Sequence, residues 1–340
     1  MTLTTKNEWF VDENERKVLL RGVNLGGSSK VPTIPNGATH LKTDFTDHRE
    51  VSFVGRPFPL KEANEHFNRI KHWGFNCLRF LVTWEAIEHK GPKQYDKEYL
   101  DYIEEILKIA EQYEFYIFID PHQDVWSRMT GGDGAPGWLF EKVGLDFTKF
   151  DESEAAFVMQ YRFDPNNPTT YPPMYWDNNN IRFASTTMWT LFFGGRDFAP
   201  SCKIDGVDAQ DYFQDHYIGV VEQVAKRVKD FPFIVGFDSL NEPKKGWIEE
   251  KVDGSGKEGF SEILGHAFTP YDAMLMAAGN PRTIPYREIK GTSIKETWKD
   301  LLNNNGVSCW LKGKEDIWRR EGIWDLDSNG NPKILNNDNF

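Results

Sequence analysis

Phe231-Pro-Phe-Ile-Val-Gly-Phe-Asp-Ser-Leu-Asn241-Glu242-Pro243 is an almost wholly apolar run that stops abruptly in an amide, a carboxylate and a proline. A continuous apolar run of this length suits a strand covered on both faces, as in a parallel sheet with helices outside it. Pro243 cannot donate to a ladder, so the strand ends there. Glu242 then sits at the carboxyl end of the strand with Asn241 beside it. That is where α/β proteins place their chemistry. Taken alone, the tripeptide reads equally well as a capping Asn and a solvated Glu. The rest of the chain decides the matter.

Working outward, the same pattern recurs three times before Phe231. Trp9-Phe10-Val11 and Lys17 to Leu25 read as a hairpin leading into a strand, followed by the loop Gly26 to Pro32 with Lys30 in it. Leu60, Ala63, Phe67, Ile70 and Trp73 recur with a helical period, and Gly74 is a fitting stop. Asn76 to Val82 is a second strand. Asp96 caps a helix that places Tyr99, Leu100, Ile103, Ile106, Leu107 and Ala110 on one face. Phe115 to Ile119 is a third strand and runs into Asp120-Pro-His122-Gln-Asp124. Residues 211–228 return to helical spacing before the fourth strand. This alternation predicts an α/β fold with a parallel sheet and right-handed crossovers. Two stretches break it. Residues 125–205 form a long insertion without clear periodicity. After Pro243 there are helix fragments, such as Ile294 to Leu302, and turn-rich segments, but no buried strand.

Bulk composition narrows the function. The chain has 340 residues, with 14% aromatics including 12 Trp and 25 Phe. Aromatic faces stack on pyranose rings, so sugar binding is compatible, although most of these rings are expected to fill cores. The net charge of −12, with no basic block, disfavours a nucleic-acid surface. Cys77, Cys202 and Cys309 are far apart, which gives neither a disulfide framework nor metal-ligand spacing. The first residues hold no signal-peptide core, and no run approaches a transmembrane length. These features predict a cytoplasmic setting, with no cofactor and no metal. Asp325-Leu-Asp327-Ser-Asn329-Gly330 starts like a calcium loop, but its twelfth position is Asn336 rather than Glu. A turn between two extended segments is expected there.

Four consecutive strands deliver Lys30, Arg79, Asp120/His122/Asp124 and Asn241/Glu242 to one end of a sheet. Each residue alone has an ordinary structural explanation: a solvated Lys, half an ion pair, a capping Asp, a satisfied core His. Their convergence is the argument for a site. The residue types suit glycoside cleavage, which needs one carboxylic acid at the leaving oxygen and a second carboxylate at the oxocarbenium-like centre. Glu242 suits the acid, and an apolar setting beside another carboxylate is expected to raise its pKa. Asn241 can bond the sugar 2-hydroxyl.

Gly74-Phe-Asn-Cys-Leu-Arg79-Phe with Trp84-Glu85, His122 after a strand, and Asn241-Glu242-Pro243 together resemble the family-five glycoside hydrolases. More narrowly, Arg21 to Pro32, Asp120 to Arg128, Gly131 to Trp138 and Ile317 to Asp325 are similar to the fungal endoglycoceramidase-related branch, which holds glucosylceramide and steryl β-glucoside hydrolases. The resemblance spans essentially the whole chain. It implies a (β/α)8 barrel and a retaining β-glucosidase acting on glucosylated lipids, with Glu242 as acid/base and Asn241 on the 2-hydroxyl. His122 and Arg79 would orient the sugar and the nucleophile. Lys30, Asp120 and Asp124 would hold hydroxyls. Trp126 and Trp138 would contact sugar or aglycone, or else pack the insertion. A lipid substrate implies transient contact with a membrane surface, apolar rather than electrostatic given the charge.

The family nucleophile, a Glu at the end of the seventh strand, has no counterpart here. Glu249, Glu258, Glu262 and Glu321 have no strand before them. The stretch after Glu242 is too short for four more βα units. The expectation is therefore the amino-terminal half of a larger catalytic domain, with two open sheet edges and no turnover by itself. Two other readings remain open at this stage: a non-catalytic carbohydrate-binding remnant and a soluble β-glucan hydrolase.

Overall fold

The computed structural model describes residues 3–38, 40–41, 43–162, 164, 166–167, 175–255 and 263–340. They form two compact units. The first comprises Met1–Asp124, Asp133–Pro136 and His216–Glu242, and the second Val125–Gly132, Gly137–Asp215 and Pro243–Phe340.

The first unit is built on a four-stranded, all-parallel sheet of β1 (Gly22–Leu25), β2 (Cys77–Thr83), β3 (Tyr116–His122) and β4 (Ile234–Phe237), in that spatial order. Helix α1 (Ala63–His72) lies between β1 and β2 in the chain, α2 (Lys97–Glu111) between β2 and β3, and α3 (Ala209–Val228) precedes β4 and belongs to this unit from His216 onward. This is the strand–helix alternation of a (β/α) barrel, with four of its strands among the described residues. The apolar positions that predicted the helices are the ones they bury. In α1 these are Ala63, Phe67 and Ile70. In α2 they are Tyr99, Leu100, Ile103, Ile106, Leu107 and Ala110. Each large side chain so buried contributes about 2 kcal/mol of transfer free energy. The Asp96 carboxylate accepts from Tyr99 N at 3.0 Å and caps α2 as expected. Gly74, at φ 84°, adopts the left-handed conformation that ends α1.

Three details differ from the sequence reading. The strand β4, expected to be covered on both faces, leaves Val235 38% and Phe237 39% exposed. Trp73 continues the helical period, with helical φ/ψ and its N–H on the Arg69 carbonyl, but stays 63% exposed at the end of α1. The first long strand pairs in the sheet only from Gly22. Lys17 makes a single bridge to Val11, and Trp9–Val11 pairs with Thr4–Lys6 in a separate hairpin.

Register places the chemistry. Asn24, Arg79, Phe118 and Gly236 are level across the sheet. Side chains alternate along a strand, so Asp120 and His122 share a face with Arg79, and Asp238 follows Gly236 on that face. The opposite face carries Leu78, Phe80, Val82, Ile117 and Ile119, all buried.

The second unit holds most of the two stretches that broke the alternation. Phe183–Phe198 is a helix that the periodicity missed, and the cause is its burial. Phe183 to Phe192 are buried without interruption, so no polar stripe marks a period. Trp189 and Phe192 join Trp126 and Phe213 in an aromatic cluster. The expected helix fragment at Ile294 to Leu302 is instead a strand. Ser293–Leu302 pairs antiparallel with Arg282–Lys290, with Gly265–His266 on the far side. Its β-branched Ile294 and Thr297 and its cross-strand partners outweigh the helix-favouring Lys and Glu between them. The calcium-like loop is a turn between the paired strands Trp324–Leu326 and Pro332–Ile334. Cys77, Cys202 and Cys309 are free and buried. No described helix is long and apolar enough to cross a membrane.

Candidate active site

The carboxyl ends of β1 to β4 bring most of the nominated residues together within the first unit. After β1, Gly26 at φ 130° turns the chain into a short 3-10 segment, Gly27–Lys30, whose last residue is the Lys. Lys30 Nζ pairs with Asp124 and lies 3.8 Å from Asp133. Arg79 forks across the sheet. Its Nη2 is 3.1 Å from Asp120 and donates to Asn241 Oδ1 at 2.8 Å, while its Nε donates to Asp238 at 3.0 Å. Asp120 is fully buried, and His122 Nδ1 donates to it at 2.7 Å. His122 Nε2 is 3.4 Å from Asp124.

Burial alone would lower the His122 pKa. The hydrogen bonds to Asp120 and Asp124 outweigh it and raise the imidazole to about 9. For Asp124, burial works upward, but His122 and Lys30 together hold the carboxyl below its ordinary range. Burial dominates at Asp133 and, with Asp124 adjacent, pushes its carboxyl well above the usual value despite Lys30. Three cations (Lys30, Arg79, His122) thus face three carboxylates (Asp120, Asp124, Asp238), with Asp133 held toward its neutral form. A balanced, donor- and acceptor-rich cluster suits an uncharged polyhydroxyl ligand. His122, Asp124 and Asp133 also offer ligand atoms within 4.8 Å of one another, as a metal site would. Lys30 already supplies the positive charge between the two aspartates.

Asn241 is buried and its amide orientation is determined by its neighbours. Oδ1 accepts from Arg79, and Nδ2 donates to the Gln123 carbonyl at 2.9 Å. Gln123 Nε2 in turn donates to the carbonyls of Asn241 at 2.7 Å and Glu242 at 3.1 Å, fastening the end of β4 to the end of β3. Glu242 has φ 39°, a left-handed conformation that costs a non-glycine residue of order 1 kcal/mol. It is exposed, and among the described residues its carboxylate makes no hydrogen bond or ion pair. The apolar enclosure expected around it is not provided by the described residues, because β4 and its apolar residues end at Phe237, before the loop that carries Glu242.

Sequence reasoning missed Asp133, Asp238 and Gln123. Asp238 was visible as an acid inside an apolar strand, three residues before Asn241. Gln123 stood between two nominated residues. Asp133 carried no signal of its own, since the bridge that joins it to Asp124 (N to O at 3.1 and 3.0 Å) is a tertiary contact. Trp126 and Trp138 lie in the second unit, 2% and 1% exposed, where Trp126 meets Trp189 edge-on at 5.0 Å and Trp138 meets Tyr212 at 6.4 Å. Packing accounts for both. Among the acids weighed as nucleophile, Glu249 is exposed, Glu321 accepts from Ser201, and Glu258 and Glu262 lie outside the described residues.

Residues 33–182 match the family model for cellulase (glycosyl hydrolase family 5). A glucosylceramidase of Rhizopus delemar is 40% identical over 98% of this chain and 48% of its own length. An ergosteryl-β-glucosidase of Saccharomyces cerevisiae is 34% identical over 96% of this chain and 48% of its own. The crystal structure of Cryptococcus neoformans sterylglucosidase 1 superposes with a TM-score of 0.90 at 31% identity, covering 100% of this chain and 51% of that one. The chain spans about half the length of the curated relatives it matches. Residues 33–182 are thus similar to the family-five glycosyl hydrolases, and nearly the whole chain is similar in sequence and fold to part of the fungal glucosylceramidases and steryl β-glucosidases.

Proposed function

We propose that this chain carries the sugar-binding and proton-donating part of a retaining β-glucosidase acting on glucosylated lipids, steryl β-glucosides or glucosylceramides. The observation that carries the reading is the Arg79–Asp120–His122–Asn241 network. It holds the Asn241 amide in one orientation beside Glu242, at the end of a sheet whose relatives are named for that activity. In this reading the sugar lies against Asn241, His122 and the Lys30–Asp124–Asp133 group, which exchange hydrogen bonds with its hydroxyls. Glu242 gives its proton to the glycosidic oxygen as the bond to the anomeric carbon breaks. A second carboxylate attacks that carbon and forms the glycosyl intermediate. Glu242 then takes a proton from the water that releases the sugar. Every described carboxylate around Arg79, His122 and Lys30 is already paired with a cation or held toward its neutral form. The nucleophile is therefore assigned to none of them, and the chain alone binds a β-glucoside without turning it over. A substrate embedded in lipid places the reaction at a membrane surface, and a cytoplasmic location with transient contact there is part of the reading.

The test uses residues 1–340 with a fluorogenic β-glucoside and, separately, titration with methyl β-D-glucopyranoside followed through the His122 resonances. Saturable shifts without glucose release are expected. Turnover that Glu242→Gln abolishes would place the nucleophile within this chain. Absence of any response at His122 would remove the sugar site altogether.

A further inference from the structure

The second unit contains a cavity of about 290 Å³ that none of the residues around Glu242 lines. One wall belongs to the hairpin. Tyr286 and Trp298 are cross-strand partners and stack with ring centroids 4.2 Å apart at 11°. His266 abuts Tyr286 edge-on at 4.9 Å. His266 Nε2 and Trp298 Nε1 both reach Asp300 Oδ2, at 2.8 and 2.9 Å. The indole is thus held by two contacts and is still 44% exposed. Hydrophobic burial does not account for a large ring that is fixed in place yet left uncovered.

The other wall holds Arg182, which is 5% exposed. Its Nη1 is committed to Glu154, bonding the carboxylate at 2.6 Å and the main-chain carbonyl at 3.1 Å. Its Nε and Nη2 make no hydrogen bond among the described residues, and Nε is buried. A buried guanidinium edge without acceptors costs about 1–3 kcal/mol, and native proteins rarely leave one without a reason. Nη2, the accessible nitrogen of that edge, is the donor left for a ligand oxygen.

Charge selects the class of ligand. Arg162 pairs with Asp151 and Glu154, Arg182 with Glu154, and Glu288 with Lys290, so three cations and three carboxylates balance around the lining and an anion would meet carboxylates as well as cations. The volume lies at the lower edge of the range of about 300–1,000 Å³ typical of small-molecule pockets, too small for a lipid tail. An uncharged ring with one apolar face and adjacent hydroxyls fits all three constraints. The face stacks on the aromatic wall, and the hydroxyls accept from Arg182 and donate to Glu288.

We propose that this cavity is a second saccharide site, which takes an uncharged hexopyranoside. The inference does not depend on the role assigned to Glu242. The experiment follows the indole N–H resonances of the ¹⁵N-labelled chain, with Trp298 assigned by its loss in Trp298→Phe, during titration with methyl β-D-glucopyranoside. The expected result is a saturable shift at Trp298 with a dissociation constant in the millimolar range, unchanged in His122→Ala and weakened about tenfold in Arg182→Lys. Glu288→Gln, on the hairpin, should weaken it in the same direction and serves if Arg182→Lys does not fold. Three results would overturn the proposal: no shift at Trp298, loss of the shift in His122→Ala, or a stronger response to D-glucuronate than to the neutral glucoside.

Discussion

Asp120→Asn is the most informative single substitution in the first unit, because one carboxylate there holds two cations. With His122 titrating at about 9 in the folded chain and at about 6.5 unfolded, the proton is bound more tightly in the native state by 2.5 pH units, or about 3 kcal/mol at 1.36 kcal/mol per unit. The sign follows from a folded value above the unfolded one. The contribution is complete below pH 6.5 and is lost as pH rises through 9. In Asp120→Asn the strongest bond raising the imidazole disappears, while burial still disfavours the cation. The His122 pKa should fall by at least about one unit, and the pH-dependent stability between 6.5 and 9.5 should shrink accordingly. Arg79 keeps Asp238 at 3.0 Å and Asn241 at 2.8 Å, so the direct loss should stay below the roughly 3–5 kcal/mol typical of an abandoned buried charge. The assay is urea unfolding by tryptophan fluorescence at pH 6.5 and 9.5 for both proteins, with the His122 ring protons titrated by NMR. Comparing the difference between the two proteins cancels other groups that titrate in that window. A wild-type His122 midpoint near 6.5, or one that Asp120→Asn leaves in place, would refute the electrostatic account of the site.

Three further outcomes are expected. Lys30→Met should leave Asp124 and Asp133 facing each other without their cation, raising the Asp124 pKa and weakening methyl β-D-glucopyranoside binding about tenfold at neutral pH, as read by NMR titration. Asp96→Ala removes the cap of α2 and the 3.0 Å partner of His89, and should lower the urea midpoint by an amount equivalent to about 1–2 kcal/mol. Ile103→Ala, at a position of α2 with no solvent exposure, should cost about 2–5 kcal/mol by the same measurement, whereas Trp73→Ala, on the exposed end of α1, should change stability by less than about 0.5 kcal/mol.

Much of the first unit was legible in the chain because its signals are local. An apolar run interrupted at Arg79, others leading to His122 and Glu242, a cap at Asp96 and a stop at Gly74 each depend on a few neighbouring residues. The helix Phe183–Phe198 was not legible, since its run from Phe183 to Phe192 is buried without a break and has no polar stripe to betray its period. The hairpin strand at 293–302 was misread because its charged residues favour a helix until cross-strand partners are counted.

For the site, sequence alone was enough to determine which residue types arrive at the strand ends, and hence the class of chemistry. Strand alternation and β1–α1–β2 order are short-range properties written in the spacing of residues. Tertiary structure alone decided how those residues are charged and held. Asp133 reaches Asp124 through a bridge between loops, and Asp238 reaches Arg79 across 159 positions of sequence. Asp120, Asp124 and burial jointly set the protonation of His122. Glu242 turned out exposed where an enclosed acid was expected. Electrostatic energies depend on distance and dielectric in three dimensions, so no one-dimensional pattern could have assigned them.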